Sequence, residues 1–303
     1  MIYGIDIGGS KIEIAVFDED LSQKDRWRIP TPIDDYGVFI NAIHDLIKQA
    51  DDRFKCIGKV GLGMVGLRNQ EGLSLSANIA VSNGHNVVKD IEDRISRKVV
   101  CENDCRCFAI SEAIGGAGED FINVYGAIIG TGAAGSFVKN RTLLKSRQNI
   151  SGEFGHLQLP AFLRDKYDLP LRKCGCGLPS CYEGYISGPG LEFLHQHFGG
   201  PSISGIEIIS LWDNGDPIAC KTMDCYMDIL GSCFSNIVLN HDPDVIVLGG
   251  GISLVDKVVA ELPNHLNQHI FKGFSSPPIV PAKFGDASGA RGAAILAMGN
   301  DNA

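Results

Sequence analysis

The chain has 303 residues, 44% of them hydrophobic and 21% charged, with a formal net charge of −9. That balance is globular, the length calls for two domains or two lobes around a cleft, and a stable core needs no outside help. An acidic chain repels nucleic acid and anionic membrane, which leaves a small neutral substrate, or a nucleotide carried with its metal, as the expected partner.

The N-terminus enters a strand pattern at once, with no basic or apolar leader, and no apolar run approaches the roughly 20 residues of a membrane span. The cytoplasm is therefore the expected compartment. Residues 2–7 are apolar and β-branched, residues 12–17 alternate, and Gly8-Gly9-Ser10-Lys11 between them predicts a hairpin. Trp27 to Pro32 predicts a third strand stopped by two prolines. Apolar residues at 39, 40, 43, 46 and 47 trace one helix face. Residues 59–63 and 99–102 read as buried strands, the second leading into Asn103-Asp104 and a helix carrying Cys107, Phe108, Ile110 and Ala113.

Gly115-Gly116-Ala117-Gly118 reads as a hinge, after which the opening theme returns. Residues 124–129 form a strand, Gly130-Thr131-Gly132 a turn, and residues 134–138 a second strand. This duplication predicts two related halves. Residues 244–248 predict a buried strand running into Gly249-Gly250-Gly251, and the small-residue tail from Gly285 to Ala294 a closing helix. Strands alternating with helices make an α/β fold with mixed sheets. The expected division is a small lobe over 1–117, to which a C-terminal helix at about 290–303 returns, and a larger lobe over 118–289.

The sharpest chemical signal is His156, then 17 residues, then Cys174-x-Cys176, then four residues to Cys181. Three thiolates and one imidazole fill a zinc tetrahedron, so the metal is expected to be structural. Buried cytosolic thiols beside an unrelated histidine are the alternative. Asp6-Ile7-Gly8-Gly9-Ser10-Lys11 and Gly130-Thr131-Gly132 offer backbone N–H groups, hydroxyls and a carboxylate, as a phosphate chain with Mg²⁺ requires. Either turn alone is more often only a turn; with Gly249-Gly250-Gly251 for the nucleoside, they point to ATP. Glu102-Asn103-Asp104 offers a base and an amide to orient a hydroxyl, or equally a helix N-cap. Glu153, His156 and Glu183 are pinned near one another if the metal is present, and acids with an imidazole suit a polyhydroxyl ligand.

Taken together these residues resemble the ROK family of the actin/hexokinase-like ATPase fold. The likeness runs from Asp6-Ile7-Gly8-Gly9 through Arg28-Ile29-Pro30-Thr31-Pro32, Ser111-Glu112-Ala113, Gly152-Glu153-Phe154-Gly155-His156 and Pro170-Leu171-Arg172 to the tail. It implies transfer of the γ-phosphate of ATP to the 6-hydroxyl of a hexose. N-acetyl-D-glucosamine is expected first, with glucose, N-acetylmannosamine and fructose as competitors, and a homodimer. It implies that Asp104 is the base and that Gly66, Asn78, Asn103, Gly135, Glu153, His156 and Glu183 surround the sugar, with His156 also on zinc. Gly9, Ser10, Lys11, Thr131, Gly132 and Gly249 to Gly251 match its nucleotide segments. The family also contains sugar-responsive repressors, but their helix-turn-helix has no room ahead of a phosphate turn that begins at residue 6. A relic without catalysis is the third reading. Departures from the family pattern are Val65 for proline in Gly63-Met64-Val65-Gly66, Cys105 and Arg106 after Asn103-Asp104, Ala134 and Ser136 around Gly135, and Ala80 after Asn78-Ile79.

Overall fold

A computed structural model describes residues 1–144, 146–148 and 150–299. In chain order the elements are β1 (Ile2–Ile7), β2 (Lys11–Phe17), β3 (Gln23–Pro30), α1 (Tyr36–Phe54), β4 (Lys59–Met64), β5 (Leu67–Arg68), β6 (Ser74–Leu75), α2 (Val87–Ile95), β7 (Val99–Asn103) and α3 (Asp104–Ala113). There follow β8 (Asn123–Ile129), β9 (Ala133–Lys139), β10 (Thr142–Leu143), α4 (Ala161–Lys166), α5 (Glu183–Ile186), α6 (Gly188–His197), α7 (Gly205–Asp213) and α8 (Pro217–His241). The chain closes with β11 (Val245–Gly249), α9 (Asp256–Leu266), β12 (Ile279–Pro281) and α10 (Ser288–Met298). It divides into two compact units, Met1–Glu119 with Arg141–Ser151 and Phe284–Ala303, and Asp120–Asn140 with Gly152–Lys283. The closing helix expected at about 290–303 is α10; residues 300–303 lie outside the described residues.

In the first unit a sheet of order β3-β2-β1-β4-β7 joins an antiparallel hairpin to parallel strands. Its two faces follow the period of two. Tyr3, Ile5, Ile7, Ile12, Ile14 and Val16 pack with the apolar side of α1, where Phe39, Ile40, Ile43, Leu46, Ile47 and Ala50 are buried. Asp35 caps α1 by accepting from Val38 N at 2.8 Å, and Lys55 ends it in the left-handed region at φ 53°. On the other face Ile2, Ala15 and Phe17 meet Ala290, Ala294 and Ala297 of α10. That helix lies directly on the backbone. A Cβ on Gly4 or Gly61 would sit 1.8 or 1.9 Å from the carbonyl oxygens of Ala290 and Ala293, so only glycine admits the contact.

In the second unit β8 pairs antiparallel with β9 and parallel with β11, and β12 adds parallel to β11. These pairings repeat those of β2, β1, β4 and β7, so the expected duplication is present as topology. The core here is built around α8, a helix of 25 residues buried from Thr222 to Ser235 on most sides. Asp216 caps it and Pro217 opens it at a position where no N–H is needed. Among the described residues no helix is long and apolar enough to cross a membrane.

Candidate active-site residues

The parallel register of the first sheet puts Asp6, Gly63 and Glu102 in one row near the carboxyl ends of β1, β4 and β7, and Asp104 opens α3 one step beyond. Loops at the carboxyl ends of such strands are where α/β sheets bind ligands. Burial, then the nearby Asp104 and Glu13 carboxylates, push the Asp6 carboxyl up to about 7. Burial also raises Asp104, against hydrogen bonds from backbone N–H groups at Cys105 and at Asp104 itself. Two acids are thus held together in a partly desolvated place, which suits a bound cation and a proton acceptor. Asp6 lies against the first turn of α10: a Cβ on Gly289 would stand 2.7 Å from its Cγ.

The first glycine turn is tied shut. Gly8 N donates to Lys11 O at 2.9 Å, Thr31 Oγ1 donates to Gly8 O at 2.6 Å, and Thr31 N donates to Ser10 O at 3.1 Å. Gly9 backs onto the Asn78 carbonyl, and the Asn78 side chain is exposed. Lys11 Nζ stands 3.7 Å from Asp286 with both side chains open to solvent.

Asn103 takes the N-cap role, and its amide nitrogen is occupied as well. Its Oδ1 caps α3 by accepting from Cys105 N at 2.9 Å, while Nδ2 donates to the Gly66 carbonyl at 3.0 Å. Gly66 is at φ 104°, a conformation that favours glycine. Glu102 is taken by Arg106, whose Nε is 2.8 Å from Oε2 and whose Nη2 donates to Leu144 O. The Arg106 departure therefore ties Glu102, and not Asp104, into an ion pair.

In the second unit the hairpin turn closes with Gly130 N donating to Gly132 O at 2.9 Å. Gly249 is in register with Ile128, and Gly250, at φ 80°, lies against the Ile129 backbone. The two glycine segments therefore end neighbouring strands, with Thr131 exposed and Gly251 beginning a short helical turn. Glu183 Oε2 accepts from Ala133 N at 3.0 Å. Gly135 N donates to Gly152 O at 2.8 Å, which carries the segment leading to Glu153 and His156 alongside β9.

His156, Cys174, Cys176 and Cys181 come together with all ligand atoms within 4.8 Å of one another. His156 Nδ1 is 3.5 Å from Cys174 Sγ, and Cys176 Sγ is 3.6 Å from Cys181 Sγ. A tetrahedron with Zn–S near 2.3 Å and Zn–N near 2.0 Å has edges of roughly 3.5–3.8 Å, so this donor set fits that ion. His156 Nε2 then faces Glu153, 3.8 Å from Oε2. The structure thus brings together Asp6 and Asp104; Gly66 and Asn103; Gly9 and Asn78; the glycine turns of the second unit with Glu183; and the metal set with Glu153.

Three contributors carry no spacing signal in the sequence. Gly289 is apart from Asp6 by nearly the whole chain. Ala133 acts through its backbone N–H, which any residue has. Arg172, in the Pro170-Leu171-Arg172 run already matched to the family, donates from its guanidinium to the Gly184 carbonyl and stacks 4.0 Å from the Phe193 ring centroid, partners that no spacing reveals.

A family profile described as the ROK family matches residues 2–300. An N-acetylgalactosamine kinase of Shewanella sp. (strain ANA-3) is 42% identical over 99% of this chain and 98% of its own. An N-acetyl-D-glucosamine kinase of Escherichia coli O9:H4 (strain HS) is 40% identical over 98% of this chain and 99% of its own. The crystal structure of the ROK hexokinase from Thermus thermophilus superposes with a TM-score of 0.85 at 27% identity, covering 97% of each chain.

Proposed function

Because the chain belongs to the ROK family, we propose that it is a sugar kinase that transfers the γ-phosphate of ATP to the 6-hydroxyl of N-acetyl-D-glucosamine. The observation that carries this reading is the 40% identity, over nearly the full length of both chains, to a protein named for that activity. The chemistry available at the site supports it.

Asp104 takes the proton of the 6-hydroxyl as that oxygen attacks the γ-phosphorus and ADP departs. Asp6, raised by burial, would release its proton to solvent when Mg²⁺ binds, and its carboxylate would then hold the metal-bound phosphates. Gly8, Gly9, Ser10 and Lys11 are nucleotide-binding residues of the first unit, and Gly130, Thr131, Gly132 and Gly249 to Gly251 are those of the second. Asn103 holds Gly66 and the start of α3 where Asp104 is needed. Asn78 and Gly135 stand beside the sugar, and Glu153, His156 and Glu183 receive its hydroxyls. His156, Cys174, Cys176 and Cys181 would hold the zinc, which would fix the His156 ring so that its other nitrogen can meet a sugar hydroxyl. The two compact units serve as the two lobes of the enzyme, which works in the cytoplasm as a homodimer.

A second reading is favoured by the 42% identical relative named for N-acetylgalactosamine, the C4 epimer. A coupled assay of ADP release over N-acetylglucosamine, N-acetylgalactosamine, N-acetylmannosamine, glucose and fructose separates the two. The highest kcat/KM is expected with N-acetylglucosamine. A higher value with its C4 epimer transfers the assignment to that sugar, and no release with any hexose ends the kinase reading. Light scattering of the same preparation tests the dimer.

A further inference from the structure

The two peptide arms that supply the metal ligands also hold the second glycine turn. On one arm Glu183, two residues past Cys181, accepts from Ala133 N at 3.0 Å, and Gly188 N donates to Gly130 O at 2.8 Å. Both ends of Gly130-Thr131-Gly132 are therefore bonded by the segment that follows the last cysteine. On the other arm Gly155, the neighbour of His156, lies so close to Ala133 that a Cβ on it would stand 2.1 Å from the Ala133 carbonyl oxygen. The arms are paired with each other, Leu159 N donating to Ser180 O at 2.8 Å and Tyr182 N to Leu157 O at 2.9 Å. Glu183 Oε1 stands 3.8 Å from Cys174 Sγ, so one carboxylate borders the metal set and the turn at once.

From this we infer that the metal cluster acts on the nucleotide as well as on the sugar: Glu183 and Gly155 are positioning residues that transmit metal occupancy to the Gly130-Thr131-Gly132 turn. The inference rests on the reading of that turn as a nucleotide segment. Its physical basis is that a hydrogen-bonded turn keeps its N–H groups aimed only while both flanking bonds are made. Without the metal, the arms lose the cross-link that fixes their spacing, and the turn loses its two anchors together.

The test measures ADP affinity by calorimetry without sugar, for wild type and Glu183→Ala, each metal-loaded and after chelation. Metal content is read by atomic emission and folding by circular dichroism. Chelation and Glu183→Ala are each expected to weaken ADP binding about tenfold, the scale of one charge-assisted hydrogen bond. Together they lower it scarcely further, since both release the same turn. Unchanged ADP affinity in folded, metal-free wild type overturns the inference, and so do losses that multiply independently. If chelation unfolds the protein, amide exchange at residues 131–133 decides the matter: metal-loaded Glu183→Ala is expected to exchange there at least about tenfold faster than Glu153→Ala, and equal protection overturns it. Metal-loaded wild type that binds no ADP ends the kinase reading separately, and the exchange measurement still decides the coupling.

Discussion

Asn103 and Gly66 are joined by one hydrogen bond, from Asn103 Nδ2 to the Gly66 carbonyl at 3.0 Å, and the other end of the same amide caps α3. One side chain thus fixes a left-handed glycine and the helix that begins with Asp104. Asn103→Ala removes the cap and leaves a partly buried carbonyl without its donor, at a cost of about 1–3 kcal/mol in urea denaturation. Asn103→Asp keeps an acceptor for the cap and is expected to recover only that part. Equal stability of all three proteins would refute the double role.

Asp104→Asn keeps the shape and removes the proposed base. Phosphotransfer is expected to fall by at least about 100-fold, while calorimetric sugar affinity stays within a few-fold. Since burial raises the Asp104 carboxyl and the base acts ionised, the wild-type rate should climb with pH through that raised pKa. The climb should be missing from the variant's residual rate. A variant that keeps it would assign the titration to another group.

Asp6 predicts a stability effect with a definite sign. Its carboxyl is pushed from the ordinary 3.8 up to about 7, so between those values the folded chain binds more protons than the unfolded one. Unfolding free energy therefore falls as pH rises across that window. Asp6→Asn should remove that contribution, seen as the difference in thermal midpoint between variant and wild type without nucleotide. A difference that does not change from pH 4.5 to 7.5 would contradict the burial argument. Gly289→Ala probes the same contact by placing a methyl 2.7 Å from Asp6 Cγ, and is expected to raise KM for ATP more than KM for the sugar.

Glu112 is fully buried in the first unit, where Oε1 accepts from Phe284 N at 3.0 Å and Ser288 Oγ at 2.7 Å, and Oε2 from Ala117 N at 3.0 Å. One carboxylate anchors both the glycine-rich segment after α3 and the entry to α10. Glu112→Ala removes the acceptor these donors share and is expected to cost about 3–5 kcal/mol by chemical denaturation, with Glu112→Gln costing less. A loss below about 1 kcal/mol would mean that water replaces the carboxylate.

Much of this protein is legible without coordinates, and the reason is local. The β1–β2 hairpin follows from alternation around Gly8-Gly9, the helix α1 from one apolar face, and the metal set from cysteine spacing, because each signal lies within a short stretch of chain. The long helix α8 gives no such signal: Thr222 to Ser235 is buried on most sides, so no polar stripe marks its period.

Site assignments divide along the same line. Residue types and spacing determined that carboxylates, glycine turns and a four-ligand metal set are present. Only tertiary structure decided that Glu102 is consumed by Arg106 while Asp104 is not, that Asp6 is desolvated against Gly289 from the far end of the chain, and that Glu183 reaches Ala133. The strength and availability of a charge depend on what is packed across from it. Partners brought together by folding leave no mark on the spacing of the residues that meet.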